Sequence, residues 1–392
     1  MILNPYTSTL VATLVLFVGS YLVKKVTFLQ TYNIPHSVAG GLVAALFATL
    51  LYYTNGVSFA SDASTQSLFM LLFFASVGLS ADLASLRAGG RSLVLFVAVI
   101  AGFIVVQNSI GISLATLLGL DPLLGLVLGS ITLTGGHGTA GAWGETLESV
   151  YGVQSAISVG MASATFGLVL GGLIGGPLAR QLIKKHRLLT HTRSDSLACE
   201  LPSTSHTITP SSLLATIALL LASLVFAQFI SGATKGTSLE MPTFIWTLFG
   251  AALLRNTLAK GAKKLENEVD LIGTISLSLY IAMALLSLRL WELADLATPL
   301  AIILLAQVVA MALYAYFVTF RAMGRDYDAS VLSAGHCGFG LGATPTAVAN
   351  MQAITLLHAP SHKAFLIVPL CGAFFVDIIN AAIIQTILKV IA

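Results

Sequence analysis

The sequence predicts an all-α polytopic membrane protein of two inverted-topology repeats, each with five transmembrane helices and one re-entrant hairpin. Three observations carry this. Charged residues make up 9 % of the 392 positions while apolar ones make up 56 %, and mean hydropathy is +0.92. A soluble domain carries about 25 % charged residues, so this chain cannot cover a water-facing surface. That excludes a soluble enzyme, a disordered chain, a secreted disulfide scaffold and a nucleic-acid binder. The second observation is a lopsided distribution of basic residues; the third is a constant offset between polar landmarks of the two halves.

Apolar segments fall near 6–23, 36–53, 67–83, 92–119, 159–182, 212–230, 242–254, 271–288, 299–320 and 364–391. A span needs about 20 residues, and ten fit. The first run, Thr9 to Val23, ends in Lys24-Lys25. A signal peptide carries its charges ahead of the apolar stretch, so this reads as a retained helix. Two further segments, 123–148 and 329–355, are crowded with Gly, Thr, Ser and Pro. Irregular backbone at membrane depth must line a cavity or pack on protein, so these read as re-entrant hairpins. The three cysteines, Cys199, Cys337 and Cys371, have no metal-ligand spacing and suggest no disulfide framework.

With the N-terminus outside, 16 of the 19 Lys and Arg lie in inner loops and only Lys235, Arg289 and Lys389 lie outside. Basic residues resist translocation, which sets orientation. The asymmetry survives only if both glycine-rich segments enter and leave on one side. Both chain termini are then expected outside, with the polar stretch 184–210 as a cytoplasmic linker. The linker separates an N-terminal repeat, 1–183, from a C-terminal one, 211–392. A shift of 207 places Pro35 on Pro242, Asp121 on Asp328, and Thr139-Ala140 on Thr346-Ala347. An odd number of crossings per half inverts the second repeat. Hairpin 123–148 then enters from outside and 329–355 from the cytoplasm. Inverted repeats with broken segments meeting at the midplane are the architecture of secondary transporters.

The first hairpin reads Thr134-Gly-Gly-His-Gly-Thr-Ala-Gly-Ala-Trp143, and the second reads Gly335-His-Cys-Gly-Phe-Gly-Leu-Gly-Ala-Thr-Pro-Thr-Ala-Val-Ala-Asn-Met351. Glycine lets backbone groups approach a ligand closely. A helix starting at such a turn offers unpaired N–H groups and a positive dipole end to an anion, and exposed carbonyls suit Na⁺. Small residues also serve plain helix packing, but packing leaves His137 and the threonines unexplained. Pro345 suits a first helical turn, with Thr344 as an N-cap or ligand contact. Asp377 lies inside the last span with Asn380 on the same face, and a carboxylate there costs about 3 kcal/mol on insertion scales. The pair offers hard oxygens to a small cation; the bland reading is an interhelical hydrogen bond.

Other polar residues carry less. Gln107 and Asn108, mid-span in the fourth helix, fit interhelical hydrogen bonding at least as well as a ligand role. Arg289, with Trp291 and Glu292, reads as an interfacial anchor. His137 and His336 read as neutral imidazoles bonded to nearby carbonyls rather than proton carriers. His36, His358 and His362 lie in or beside aqueous loops. Arg87 and Arg91 read as cytoplasmic anchors with Asp82 as their partner.

The two hairpin motifs, with Ile34-Pro35, Ala88-Gly89-Gly90-Arg91, Leu288 to Leu293 and Val376-Asp377-Ile378-Ile379-Asn380, resemble the bacterial sodium/glutamate symporters nearly end to end. The likeness is weakest in the 184–210 linker. Gly141 and Trp143-Gly144-Glu145 fall where that family varies. The resemblance implies Na⁺-coupled uptake of L-glutamate at the bacterial inner membrane by a homodimer with a scaffold and a mobile transport domain. The family's hairpin motif covers Gly135 to Thr139 and Gly335 to Thr346 and leaves open which atoms touch glutamate and which touch Na⁺; within it Gly135, Gly136, His137, Gly138, Thr139, Gly340, Gly342, Ala343, Thr344, Pro345 and Thr346 are the expected surroundings of the substrate. Asp377, Asn380, Thr139, Thr346 and Asn350 are the expected sources of oxygen for Na⁺. Carriage of aspartate or a dicarboxylate, or proton coupling, are the nearest alternatives.

Other functional classes fit worse. Gly78-Leu79-Ser80-Ala81 superficially resembles a serine nucleophile turn, but Ser80 is expected near the cytoplasmic end, far from His137 in a hairpin entering from outside. No Gly-x-Gly-Asp motif is present, because Gly340-Leu341-Gly342 is followed by Ala343. No charged ring or repeated filter marks a channel. No Gly-x4-Gly-Lys-[Ser/Thr] loop occurs, so an ion gradient is the expected energy source.

Overall fold

The structure, a computed structural model, describes residues 3–31, 34–56, 59–81, 85–188, 208–235, 237, 241–257, 265–287 and 296–391. Asp82, Arg289, Trp291, Glu292, the 288–293 motif and most of the 184–210 linker lie outside the described residues, as does the side chain of Arg87.

The described chain is helical throughout. In the first half the helices are α1 (Pro5–Lys25), the short α2 (Thr27–Thr31), α3 (His36–Asn55), α4 (Ala63–Leu79), α5 (Ser85–Leu117, broken at Gly90), α6 (Pro122–Leu126, continued by a wide turn over Val127–Ile131), α7 (Gly136–Val150) and α8 (Ala156–His186). The second half has α9 (Pro210–Thr234), α10 (Thr243–Thr257), α11 (Glu266–Leu286) and α12 (Ala297–Ala322). It ends with α13 (Tyr327–Gly340), α14 (Thr344–Thr355), α15 (His362–Leu370) and α16 (Val376–Ile391), the last two joined by a wide turn over Cys371–Phe375. Seven helices among the described residues are long and apolar enough to cross a membrane.

Helix starts carry local signals. Asn4, Asp62, Asp121 and Asp326 each accept a first-turn N–H, and Pro5, Pro122 and Pro210 occupy first-turn positions where a missing donor costs nothing. Asp62 explains why α4 begins at Ala63 rather than 67: its first turn is polar and capped, so hydropathy alone misses it. Likewise α8 runs through Lys184–His186, residues read as linker, because cations suit the negative end of a helix. Asp121 and Asp328, paired by the shift of 207, differ in role. Asp121 caps α6, whereas Asp326 caps α13 and Asp328 accepts the Ser361 hydroxyl at 2.6 Å.

The helices pack in two groups. One contains α1, α3, α4, α9, α10 and α11; the other contains α5 to α8 and α12 to α16. Within the first group, Gly19 and Gly40 let α1 and α3 cross so closely that a Cβ on either would overlap the His36 or Val15 carbonyl. In the second, Gly167, Gly171 and Gly175 repeat every four residues on α8 and receive α13: a Cβ there would meet Leu341, Cys337 or Ala334 backbone. The groups meet where Gly138 and Gly141 of α7 face Phe73 of α4 and Leu277 and Tyr280 of α11.

One end of the molecule gathers Leu3 onto Ala60, and Ser61 onto Ser287. A cavity of about 1230 Å³ opens there, lined among others by Asp121, Glu145, Glu148, Gln154 and Ser158. The far end of α4, about 25 Å along the helix at 1.5 Å per residue, is tied down by Asn256, whose amide donates to the Ala81 carbonyl at 2.8 Å. Nearby, the buried Arg255 pairs with Glu266 at 2.6 Å.

Candidate functional site

Each glycine-rich segment folds as two helices joined by a tight turn. The segments cover 122–150 and 327–355, slightly wider than the sequence reading. Leu123 to Thr134 and Ala329 to Gly342 are buried without interruption, Ser130, Thr132, Ser330, Ser333 and His336 among them. At the turns this seal opens. Gly135 and Gly136 are partly exposed, as are Ala343 and Thr344, and Pro345 is exposed. The two turns adjoin: a Cβ on Gly136 would lie 3.4 Å from the Gly342 carbonyl oxygen. Gly136 sits at φ +68°, a conformation that favours glycine.

This arrangement brings together the starts of two outgoing helices, α7 and α14. At α14, Ala343 occupies the N-cap with no side-chain cap, and Pro345 falls in the first turn. Thr346 is 1 % exposed and its hydroxyl has no partner among the described residues. Thr344 Oγ1 lies against Gly372, in the wide turn between α15 and α16. Asp377 follows five residues later, partly exposed, its carboxylate without a hydrogen bond among the described residues. Asn380 donates to the Ser130 carbonyl at 3.0 Å, and its own oxygen is unpartnered and buried.

At α7, His137 Nε2 lies 3.0 Å from Thr165 Oγ1. The Thr165 proton is already given to the Met161 carbonyl at 2.9 Å, so Nε2 is the donor in this pair. His336 meets Thr319 through Nδ1 at 2.8 Å, within a ring of Phe96, Phe103 and Tyr314. The sequence reading expected carbonyl partners for both histidines; the structure supplies threonine hydroxyls.

Several predicted site residues also have clear packing roles. Gly135 gives its N–H to the Ser130 carbonyl at 3.0 Å, and Gly138 accommodates Phe73. Gly340 makes room for Met311 and Phe103. The Asn350 amide donates to Gly171 O at 2.8 Å and Ala334 O at 3.3 Å, stapling α14 to α8 and α13. Thr139 is buried on the first turn of α7.

The polar centre of α5 makes the interhelical hydrogen bonds that Gln107 and Asn108 were expected to make. Gln107 Nε2 donates to the Gly340 carbonyl at 2.7 Å while Gln107 Oε1 accepts the Thr134 hydroxyl at 2.5 Å. Asn108 Oδ1 accepts the Ser130 N–H at 3.0 Å. From α12, Gln307 donates to the Gln107 carbonyl at 2.8 Å. The available signal was adjacency, since two amides side by side in an apolar span demand partners.

Apolar helices enclosing a polar, partly open junction of two broken segments define a polytopic membrane protein with an internal polar site. Comparison with known proteins then fixes the family. The sequence profile described as "Sodium/glutamate symporter" matches residues 1–360. A Haemophilus influenzae sodium/glutamate symporter is 47 % identical over 395 residues, covering 99 % of this chain and 98 % of its own. The Escherichia coli and Shigella flexneri sodium/glutamate symporters are each 50 % identical over 388 residues, covering 98 % of this chain and 97 % of theirs. The chain belongs to the sodium/glutamate symporter family, whose named members are transporters rather than enzymes.

Proposed function

We propose that the protein carries L-glutamate together with Na⁺ across the bacterial inner membrane by alternating access, the two bound where the turns of the broken segments meet. The observation that carries this is the local opening of two sealed segments at Gly135–Gly136 and Ala343–Pro345, where α7 and α14 both begin. Glutamate has two carboxylates, and two helix N-termini supply unpaired N–H groups and positive dipole ends for them. His137 and Thr344 flank those ends, and the Thr346 hydroxyl has no partner among the described residues. Asp377 and the Asn380 oxygen offer Na⁺ one charged and one neutral hard ligand.

In this reading the glycine-rich segments are re-entrant hairpins, and the halves 1–183 and 211–392 are inverted repeats. Helix starts support the constant shift: His36 of α3 matches Thr243 of α10, and Gly90, at the break in α5, matches Ala297 of α12. The group containing α1, α3, α4, α9, α10 and α11 is the scaffold and dimer-forming part; the other group moves with its cargo. The termini and the large cavity face outside, the cavity as a vestibule whose Asp121, Glu145 and Glu148 draw cations inward. The 184–210 linker is cytoplasmic.

Pro345→Cys, with the native cysteines replaced, tests the assignment of the turns. Glutamate plus Na⁺ should slow thiol labelling at this position, and glutamate with K⁺ should not. Labelling indifferent to glutamate and Na⁺ together would place the site elsewhere.

A further inference from the structure

Gln107 stands 0 % exposed in α5, 27 residues from Thr134 of one broken segment and 233 from Gly340 of the other, yet it bonds both. Its oxygen takes the hydroxyl of Thr134, the residue just before the first turn. Its nitrogen satisfies the carbonyl of Gly340, the last residue of α13 and so an acceptor with no partner further along the helix. The amide orientation is fixed by these partners, because the reverse would set its oxygen against the Gly340 carbonyl. Thr134 Oγ1 also lies 3.4 Å from the Gly340 oxygen, closing a three-membered polar node. Gln307 holds the node's backbone, donating to Gln107 O at 2.8 Å and Leu128 O at 3.3 Å.

We propose that Gln107 is a positioning residue that couples the two turns, so that cation binding beside one is felt as a change in solute affinity at the other. This rests on the reading above that glutamate and Na⁺ bind at the junction. The physical basis is the stiffness of a buried amide bridge. In an apolar interior neither bond exchanges cheaply with water, so displacing one turn strains or breaks the bond to the other. Two ligands bound to turns joined in this way share a coupling free energy, and each changes the other's affinity by the same factor. Gln107 itself need touch neither ligand.

The test uses full-length protein in lipid nanodiscs, measuring radiolabelled L-glutamate Kd at low and at saturating Na⁺, with choline as replacement. The ratio of the two values is the coupling factor, commonly 5- to 150-fold in coupled systems. Gln107→Met, nearly isosteric but unable to bridge, should cut that ratio about 10-fold while glutamate affinity at saturating Na⁺ changes by less than about 3-fold. Thr134→Val removes only the hydroxyl arm and should lower the ratio similarly, with Thr134→Ser restoring it. If Gln107→Met fails to fold, the Thr134 pair decides the matter alone. A wild-type ratio in the bridging variants overturns the proposal. So does an equal loss of affinity at every Na⁺ concentration, which is the signature of a merely structural staple. A ratio of one in the unaltered protein would overturn the underlying reading of the site, and the coupling role with it.

Discussion

At the scale of single residues, the candidate site is a set of polar atoms that protein packing leaves unpaired. A buried polar atom without a partner forgoes about 1–3 kcal/mol, and among the described residues the Thr346 hydroxyl and the Asn380 amide oxygen are both in that position. Thr346→Val keeps shape and removes an orphan, so melting temperature in detergent should hold or rise while glutamate affinity falls. Lost affinity accompanied by lost stability would instead make Thr346 part of the fold. Asp377 is the charged member of the set. Asp377→Asn should weaken Na⁺ activation of uptake more than it lowers protein abundance; unchanged Na⁺ activation would remove Asp377 from the cation site. These residues were legible in the sequence because an intramembrane carboxylate and a Thr-Pro-Thr after glycines have little use in packing. Gln107 is legible as an interhelical hydrogen-bonding residue and Thr134 as part of a motif, but their partnership, and that of Thr165 with His137, is not, because the partners lie tens or hundreds of residues away. Asn350 and Gly340 were read as ligands, and both have packing roles that only the neighbouring helices reveal.

At the scale of elements, hydropathy located every long helix, while the ends depended on caps that hydropathy cannot register, such as Asp62 before α4. The glycine-rich segments were legible as broken because composition changes there. Their division into α6–α7 and α13–α14 required the turns at Thr134–Gly135 and Leu341–Ala343. The contact of α8 with α13 makes a directional prediction. A methyl at Gly175 would overlap the Asn350 amide and approach the Ala334 carbonyl, whereas one at Gly176 meets nothing within 4 Å. Gly175→Ala should therefore destabilise, by about 1–3 kcal/mol as overpacked cores do. Gly176→Ala should stabilise by about 0.5–1 kcal/mol through backbone entropy. Thermal unfolding of the two variants side by side checks this, and equal shifts would mean that α13 does not seat on those glycines.

At the scale of the whole molecule, the two helix groups meet at Gly138 and Gly141 against Phe73, Leu277 and Tyr280, and at Trp143 against Phe244, with ring centroids 5.5 Å apart. The second group carries the polar junction with it. The twofold plan proposed above rests on a single offset of 207 that is legible in the sequence. The swap of partners was invisible to it: α3 packs on α11, and α10 on α4, so each half completes the other. Swapped pairing of this kind depends on tertiary packing, which no local pattern encodes. The central claim is Na⁺-driven accumulation of L-glutamate, and its most direct test is uptake of radiolabelled L-glutamate by purified protein in liposomes. With an inward Na⁺ gradient the label should rise above its external concentration, and with K⁺ in place of Na⁺ it should not. Equal accumulation under both gradients, or mere equilibration with Na⁺ present, would contradict the account.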